Sequence, residues 1–436
     1  MKRSMSVVLA SVLSASAWGA DLLTVYRDAL QNDAQFMAAK AAREAGQEKA
    51  VQGRAGLLPG IGLSASTSWN TNTYTGTDRD FNANAYGAEL RQPVFNQANW
   101  AQFRQGQLQT ALADMEFEAA RQDVIVRVAE RYFAVLNARD TVTSLRTLRE
   151  AAARQLELAR KSFEVGTVTV TDVHEAQSRF DLTSAQVIAA ENTLEVARQS
   201  LAQVTGKAPE VLNGLRDGAS LTRPQPDDIV QWVEAAREHS TGVQIQQIAT
   251  RIAEREVSRN RAGHLPTLDV VARYNQNDAG GSSFASGRSE TTSRSVGLEL
   301  NVPLFQGGAV SSRTREAAAL LTKAEADLDD AQRTAALAAR QSYLGVTSGL
   351  AQVKALEAAR VSSLSALEAN RLGYEVGVRI NIDVLNAQSQ LADAEQQLAK
   401  ARYDTLVAQL RLKAAAGALS EDDVAQINAL LDAQAR

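Results

Sequence analysis

The charged residues with the most suggestive spacing are Arg379 and Asp383, in the segment YEVGVRINIDVLNAQS at residues 374–389. A similar segment, FEVGTVTVTDVHEAQS, lies 211 residues earlier and carries Asp172 where the later copy carries Asp383, but it has no counterpart of Arg379. The Val-Gly pair in each copy predicts a tight turn within an otherwise helical stretch. An exposed ion pair between two such turns contributes about 0–1 kcal/mol, which suits a latch that has to release. The alternative is that these charges are solvated, with both Asp residues favouring the starts of their helices.

Few other side chains offer catalytic or metal-binding chemistry. The chain has no Cys and three His, namely His174, His239 and His264, which do not show the spacing of metal ligands. The segment FQGGAV at 305–310 lacks the Lys-Ser/Thr pair and the wider glycine spacing of a phosphate-binding loop. No Ser/His/Asp or carboxylate constellation stands out in a chain with 22% charged residues. We therefore predict that the protein is not an enzyme and has no cofactor or resident metal.

The composition and the first residues predict a secreted protein that does not bind nucleic acid. The 436 residues include 50 acidic and 46 basic side chains without a basic block, which argues against nucleic acid as a partner. Lys2 and Arg3 precede the short apolar run SVVLASVLSASA and then small residues, the order typical of a secretory signal peptide. We assign residues 1–20 to this signal, with cleavage between about 17 and 20. No later segment has the roughly 18 consecutive apolar residues of a transmembrane helix.

Two stretches without Pro, residues 94–208 and 304–436, are predicted to consist of long helices. Both are rich in Ala, Leu, Gln, Glu and Arg, which favour the helical conformation. Apolar residues recur at three- and four-residue steps and form a narrow seam, which is typical of coiled-coil packing. A helix from about 98 to about 160 would be roughly 95 Å long, because each residue adds about 1.5 Å.

Two hairpins, at about 60–94 and 266–304, are predicted from alternating apolar and polar residues. In the second hairpin, for example, Leu268 and Val270 flank Asp269. Each strand has about ten residues, the length that a tilted strand needs to cross a membrane. A soluble β-sandwich would show the same alternation, but the signal peptide and the charged face favour a membrane barrel. Because four strands cannot close a barrel and an open edge in lipid leaves backbone groups unpaired, the chain is predicted to oligomerise.

The two halves of the chain repeat one order of elements: helix, hairpin, long helix, glycine turn and helix. GLLP at 56–59 matches GHLP at 263–266, and QPVF at 92–95 matches VPLF at 302–305. We therefore predict two structural repeats after the signal peptide. The assigned segments are a first repeat at 21–205 with its tip at about 161–172, a linker and equatorial segment at 206–240, a second repeat at 241–416 with its tip at about 372–383, and a C-terminal equatorial segment at 417–436.

Motifs spread over both halves resemble those of the TolC-type outer-membrane channels of Gram-negative efflux and type I secretion systems. They are GHLPTLDV, VPLFQGG, YFAVLNA, VGTVTVTDV and YEVGVRINIDVLNA, and the resemblance covers essentially the whole mature chain. The resemblance implies a mixed membrane α+β fold. In that fold a homotrimer forms a twelve-stranded β-barrel, four strands per subunit, which is continued by a long periplasmic α-helical coiled-coil tunnel with two pseudo-repeats per chain.

The function implied by the resemblance is a passive exit duct in the outer membrane. Substrates would reach it through a periplasmic adaptor (membrane fusion) protein from an inner-membrane transporter of the ABC, RND or MFS type. Outer-membrane lipid would surround the barrel, and the adaptor would dock at the turns Val165-Gly166 and Val376-Gly377. The alternative function is that of a soluble periplasmic or surface coiled-coil adaptor or adhesin without a pore. Neither the cargo, whether protein or drugs, nor the particular adaptor follows from the resemblance.

The resemblance also implies a periplasmic gate, in which an arginine bonds to partners on the neighbouring coil. The matching residues are Arg379 for the arginine, Tyr374 for the gate tyrosine, and Thr171 and Asp172 for the partners. Asp383 matches one acidic residue of the tunnel constriction, whereas its usual companion, a second Asp one helical turn later, is Asn386 here. A carboxylate ring in a narrow pore selects for cations and binds multivalent ones. Because this chain has only the Asp383 ring, we expect divalent cations to block its channel less strongly than a family member with both Asp residues.

Overall fold

A computed structural model describes residues 20–74, 76–207, 211–216, 218–281 and 287–432. The predicted signal peptide lies outside these residues, except for Ala20. The described part contains helices and strands with the following bounds: α1 Leu22–Asn32, α2 Ala34–Ala55, β1 Gly60–Tyr74, β2 Thr77–Phe95, α3 Gln97–Glu164, α4 Val170–Thr205, α5 Ile229–His239, α6 Thr241–Arg261, a short 3₁₀ helix Ala262–His264, β3 Thr267–Ala279, β4 Ser289–Asn301, α7 Ala309–Glu375, α8 Asn381–Ala415 and α9 Glu421–Asn428. No helix among these residues is both long and apolar enough to cross a membrane.

The four strands form one antiparallel sheet in the order β1-β2-β3-β4. Strands β1 and β2 contain 15 and 19 residues, which is longer than the ten or so expected from the apolar pattern. Polar cross-strand contacts continue the β1–β2 ladder toward the hairpin turn, since the Thr71 and Thr73 hydroxyls donate to Asp80 and Asp78 over 2.7 and 2.6 Å. The apolar pattern alone therefore underestimated the strand length.

The sheet has one apolar face and one charged face, as the alternation predicts. The apolar face is exposed in the single chain and includes Ile61, Leu63, Leu90, Val296, Leu298 and Leu300. On the opposite face, Arg91 lies 2.9 Å from Asp269 and 3.4 Å from Glu299, while Arg273 lies 2.9 Å from Glu89 and 3.4 Å from Glu299. These ion pairs connect β2, β3 and β4 on the face opposite the apolar side chains.

The chain divides into two compact units, and each unit combines segments from both sequence repeats. The first consists of Met1–Met37, Arg121–Val233 and Ala338–Arg436, and the second of Ala38–Ala120 and Glu234–Leu337. The second unit contains the sheet and the helical segments next to it, and the first contains both glycine turns. The assignment of two repeats along the chain remains a prediction about sequence organisation, because neither repeat forms a compact unit by itself.

The core of the first unit contains aromatic residues of α3 and α8. Phe133 stacks on Tyr403 with ring centroids 5.4 Å apart, and the Tyr403 hydroxyl donates to Asp140 over 2.6 Å. The neighbouring Tyr132 donates to the carbonyl oxygen of Asn213 over 2.7 Å. Burial raises the pKa of both phenols, so these hydroxyls remain protonated donors. The long helices are therefore joined by aromatic packing and buried hydrogen bonds in addition to the Ala-rich seam.

Candidate functional site

The two Val-Gly segments form the same turn, once between α3 and α4 and once between α7 and α8. In the first turn Gly166 has a φ of 75°, and the Thr167 amide donates to the Ser162 carbonyl over 2.9 Å. In the second turn Gly377 has a φ of 79°, and the Val378 amide donates to the Gly373 carbonyl over 2.8 Å. A glycine in the left-handed region with this hydrogen bond is a common way to end a helix. We call these turns the first tip and the second tip.

Each tip has a small apolar core beneath its turn. Under the first tip, Leu156, Ala159 and Ala176 are buried, and Val173 and Phe180 pack against them. The second tip buries Leu367, Val384, Ala387 and Leu391, and the half-buried Tyr374 packs against this group. The predicted gate tyrosine therefore contributes to the packing of its own tip.

Asp172 caps the N-terminus of α4. Its carboxylate accepts hydrogen bonds from the Thr169 amide and the Thr169 hydroxyl, both over 2.8 Å, and the Asp172 amide donates to the Thr169 hydroxyl over 3.3 Å. This reciprocal pair is a capping box, which satisfies amides that have no partner within the helix. The hydrogen bond from the Thr169 amide is the largest cause of the lowered pKa of Asp172. Thr171, the next predicted partner of Arg379, lies exposed in the first turn of α4.

The second tip lacks this cap, and its carboxylate forms an ion pair instead. The N-cap residue of α8 is Ile380, which has no side-chain oxygen to accept a hydrogen bond. Asp383 lies 3.7 Å from Arg379 and forms an ion pair with it, and the two side chains are 33% and 59% exposed, respectively. At such exposure the pair is weak, in line with an ion pair that exchanges partners. Among the described residues of one chain, Arg379 pairs with Asp383 and forms no ion pair with Asp172.

Gly373 provides the space in which Arg379 lies. The Arg379 amide donates to the Gly373 carbonyl over 3.0 Å. A methyl group added at Gly373 would lie 2.7 Å from Cγ and 3.3 Å from Cβ of Arg379. Ser162 stands at the equivalent position of the first tip. Gly373 is thus part of the Arg379 site, and the 211-residue offset between the repeats is the signal that could have identified it.

Asn386 accepts a hydrogen bond from a helix of the other sequence repeat. The Arg179 guanidinium on α4 donates to its side-chain oxygen over 3.1 Å. Arg179 was not among the predicted site residues. It lies 207 residues before Asn386, and the repeat pattern does not predict that these two residues are in contact. The structure therefore places a second arginine next to the position where the resemblance expects a carboxylate.

Comparison with known proteins gives the family of this chain. Residues 25–207 and 232–418 match the family described as outer membrane efflux protein. The chain belongs to this family. The outer membrane protein TolC of Vibrio cholerae is 32% identical over 421 residues, which cover 96% of this chain and 95% of that protein. The proteases secretion protein PrtF of Dickeya chrysanthemi is 34% identical over 445 residues, covering 98% and 95%.

Solved channels of low sequence identity share the fold. The outer membrane protein VceC of Vibrio cholerae matches with a TM-score of 0.77 at 19% identity, covering 91% of this chain and 96% of that one. The MtrE channel of Neisseria gonorrhoeae matches with a TM-score of 0.72 at 18% identity, covering 95% and 94%. The predicted family, fold class, outer-membrane location and function as an export duct are confirmed. Nothing supports the alternative of a soluble adaptor or adhesin. The roles of the individual tip residues remain predictions.

We predict that the first tip loosens when its capping box is lost. Because the pKa of Asp172 is lowered from 3.8, the cap contributes its full stability above that ordinary value and loses it as the pH falls through the lowered pKa of the folded protein. Hydrogen exchange of residues 170–173, corrected for intrinsic rates, should therefore accelerate in Thr169→Ala at neutral pH and in the unchanged protein as the pH is lowered through the pKa of Asp172. The second tip, which has Ile380 at the N-cap, serves as the internal reference for the variant. Unchanged exchange in Thr169→Ala would contradict the capping role.

We also predict that Gly373→Ala displaces Arg379 from Asp383. The substitution stabilises the helical conformation by about 1 kcal/mol, because Ala has a higher helix propensity than Gly. Its methyl group, however, takes the space of the Arg379 side chain. Hydrogen exchange at residues 378–383 should accelerate although the helix itself gains propensity. Gly345→Ala in the same helix is the matched control, since its added methyl would meet Ala408 at an ordinary 3.7 Å. Equal exchange in the two variants would show that Gly373 does not position Arg379.

Proposed function

We propose that three copies of this chain form one outer-membrane duct. Each copy contributes four strands to a twelve-stranded barrel, and the long helices line a periplasmic tunnel. The duct is passive: an inner-membrane transporter of the ABC, RND or MFS type supplies the energy, and a periplasmic adaptor protein connects the two. Relatives named for protease secretion and for efflux both match the chain, and the same duct serves protein or small-molecule cargo according to its transporter.

One observation carries the proposal: a four-stranded sheet with an exposed apolar face, a charged face and two unpaired edges. In lipid, the backbone groups on the free edges of β1 and β4 have no water to bond to, so the sheet is stable there only within a closed barrel. The apolar face suits lipid. The ion pairs of Arg91 and Arg273 with three carboxylates suit a water-filled lumen. Further copies of the chain supply the missing strands.

The tips are the proposed sites of adaptor docking. Val165 and Val376 are 75% and 66% exposed, although apolar side chains at helix ends usually find cover. Both belong to the Val-Gly turns, whose backbone conformation is set by Gly166 and Gly377. Exposed apolar residues on a rigid turn offer an adaptor an anchoring contact. The duplication of the turn gives each subunit two docking points.

The gate in this proposal is formed by weak polar contacts at the tips. In the single chain Arg379, in the turn before α8, holds Asp383 of the first turn of α8 through an exposed ion pair. In the closed trimer Arg379 bonds instead to Thr171 and Asp172 of the neighbouring coil, while Tyr374 supports the second tip. Because two carboxylates compete for one arginine, adaptor contact releases the latch at low cost.

The constriction is less anionic than two Asp residues per subunit would make it. Three subunits contribute one ring of Asp383 and one ring of neutral Asn386. The guanidinium of Arg179 further reduces the negative potential, since it bonds directly to Asn386. Cations are therefore attracted by three carboxylates, and the arginines beside them oppose tight binding.

We predict that Arg379→Ser and Asp172→Ala raise the time-averaged conductance of the channel in planar bilayers. Each change removes one side of the latch, and a pair worth up to about 1 kcal/mol shifts the ratio of open to closed channels by up to about fivefold. Heat-modifiable migration first establishes that the trimer has assembled. Lys161→Ser is the control, because Lys161 is a basic residue of the first tip that pairs with Glu157 of its own helix. Conductance equal to that of the unchanged protein in both variants would remove the gate assignment.

We further predict that Asn386→Asp tightens blockade by divalent cations about tenfold, because the ring then contains twice as many carboxylates. Arg179 should partly neutralise the new carboxylate. The double variant with Arg179→Gln is therefore expected to be blocked more strongly than Asn386→Asp alone. Single-channel recordings over a range of divalent-cation concentrations measure the effect. Unchanged blockade in both variants would contradict the placement of position 386 at the constriction.

A further inference from the structure

Along β3 and β4, the apolar side chains of this sheet face end at a pair of residues of another kind. Along β3 and β4 the paired positions on this face are Leu268 with Leu300, Val270 with Leu298 and Ala272 with Val296, followed by Tyr274 with Arg294. Beyond this pair, toward the hairpin loops, Gln276 pairs with Thr292. On β3 and β4, Tyr274 and Arg294 therefore mark the boundary between an apolar belt and a polar rim, while the aromatic residues Tyr86 and Trp69 of β2 and β1 lie further toward the loops on this face.

Arginine at this position defines where the membrane surface lies. An arginine that faces lipid is strongly unfavourable at the bilayer midplane and nearly neutral at the interface. Tyrosine is enriched at the interface, where its ring contacts acyl chains and its hydroxyl contacts headgroups. The Arg294 guanidinium carbon lies 5.6 Å from the centroid of the Tyr274 ring, so the two side chains form one cation–π unit. This unit lies at the level of the lipid headgroups.

The Tyr274–Arg294 pair lies at the level of the outer leaflet. The other ends of the four strands lead into helices α2, α3 and α7 and the 3₁₀ helix, whereas the ends beyond Tyr274 and Arg294 lead into the hairpin connections. In an outer-membrane duct whose helices lie in the periplasm, the hairpin connections face the exterior. This step depends on the proposed function. The lipids next to Arg294 are then those of the outer leaflet, which in Gram-negative bacteria is built largely of phosphorylated glycolipid.

Unlike Arg91, Arg273 and Arg288, Arg294 has no acidic partner among the described residues of one chain. Arg91 and Arg273 form ion pairs on the charged face, and Arg288 pairs with Asp278. Among the described residues, Arg294 takes part in no hydrogen bond or ion pair. Its N–H groups are thus available to a ligand, and a planar guanidinium matches a phosphate in a bidentate geometry.

The acidic residue nearest along the same face is already engaged. Glu290 lies four residues from Arg294, about 13 Å along the strand, in the direction of the hairpin loop. It accepts a hydrogen bond from Gln276 over 2.8 Å, and the Tyr274 hydroxyl lies 3.5 Å from the side-chain oxygen of Gln276. Since Glu290 is distant, an anion bound at Arg294 remains close to the positive charge and well separated from the carboxylate.

A shallow depression below the arginine provides space for an acyl chain. It has a volume of about 410 Å³ and includes small and apolar residues on neighbouring strands. Its lining residues include Ala88, Leu90, Ala272, Tyr274, Arg294 and Val296. The small side chains of Ala88 and Ala272 lower the surface between the larger ones. A headgroup phosphate at Arg294 would continue into a chain lying along this depression.

We propose that Arg294 and Tyr274 bind a phosphate of an outer-leaflet glycolipid, one of whose acyl chains lies over Ala88 and Ala272. The site is repeated in each subunit of the trimer. The phosphate supplies the anionic partner that Arg294 lacks within one chain, and the Tyr274 ring supports the guanidinium from one side. Such a lipid fixes the depth of the barrel in the outer leaflet.

Lipid retention by the purified trimer, measured by native mass spectrometry, tests the proposal. The probes are a bis-phosphorylated lipid A, the same glycolipid without phosphates, and phosphatidylglycerol. The unchanged trimer should retain the bis-phosphorylated lipid about tenfold more strongly than the dephosphorylated one, because charged hydrogen bonds are lost with the phosphate. Arg294→Gln should lose this preference. Arg288→Gln, which removes an arginine that already has a partner, should keep it.

Three outcomes would overturn the proposal: full preference in Arg294→Gln, equal retention of the two glycolipids by the unchanged trimer, or equal retention of phosphatidylglycerol. Competition by millimolar inorganic phosphate would also overturn it, since the site would then bind any small anion. If Arg294→Gln does not assemble, the glycolipid comparison with the unchanged trimer still decides. The bilayer recordings test the proposed duct independently of lipid retention. A failure of lipid binding therefore leaves the duct standing, and a failure of the duct is seen in the recordings.

Discussion

The constraint on which the rest of the structure depends is that a sheet edge cannot face lipid. One chain provides four strands in the order β1-β2-β3-β4, and the outer two leave their backbone groups unpaired on one side. In the duct that we propose, neighbouring copies of the chain supply the missing partners. The same constraint explains the division of the sheet faces. Because lipid surrounds a closed barrel, the apolar side chains lie on one face and the ion pairs of Arg91 and Arg273 on the other.

The two tips show how a duplicated sequence acquires two roles. Gly166 and Gly377 adopt the same left-handed conformation, so the turn itself is equivalent in both copies. The copies differ at the N-cap of the following helix and at the residue before it, which is Val168 in the first copy and Arg379 in the second. Thr169 engages Asp172 in a capping box, whereas Ile380 leaves Asp383 available to Arg379. Within one chain these two differences leave the Asp172 carboxylate in a helix cap and the Asp383 carboxylate in an ion pair.

Much of this organisation was predictable from pattern alone, but particular contacts were not. The period of two predicted the strands, and the Pro-free stretches predicted the long helices. The predicted helix from about 98 to 160 is observed as Gln97–Glu164, because the glycine turn at residue 166 sets its end. In contrast, the contact of Arg179 with Asn386 joins residues 207 positions apart. No local pattern reports such a contact, because it depends on how the tertiary fold brings α4 and α8 together.

By itself, the sequence determined the family, the duplicated order of elements, the two turns and the separation of apolar from charged strand positions. These properties follow from local periodicity and backbone conformation, which neighbouring residues impose. Tertiary structure alone decided which partners two arginines meet: Arg179 meets Asn386, and Arg294 meets the ring of Tyr274. A side chain finds its partner through distances of a few ångströms between elements, and these distances are set by packing and strand register.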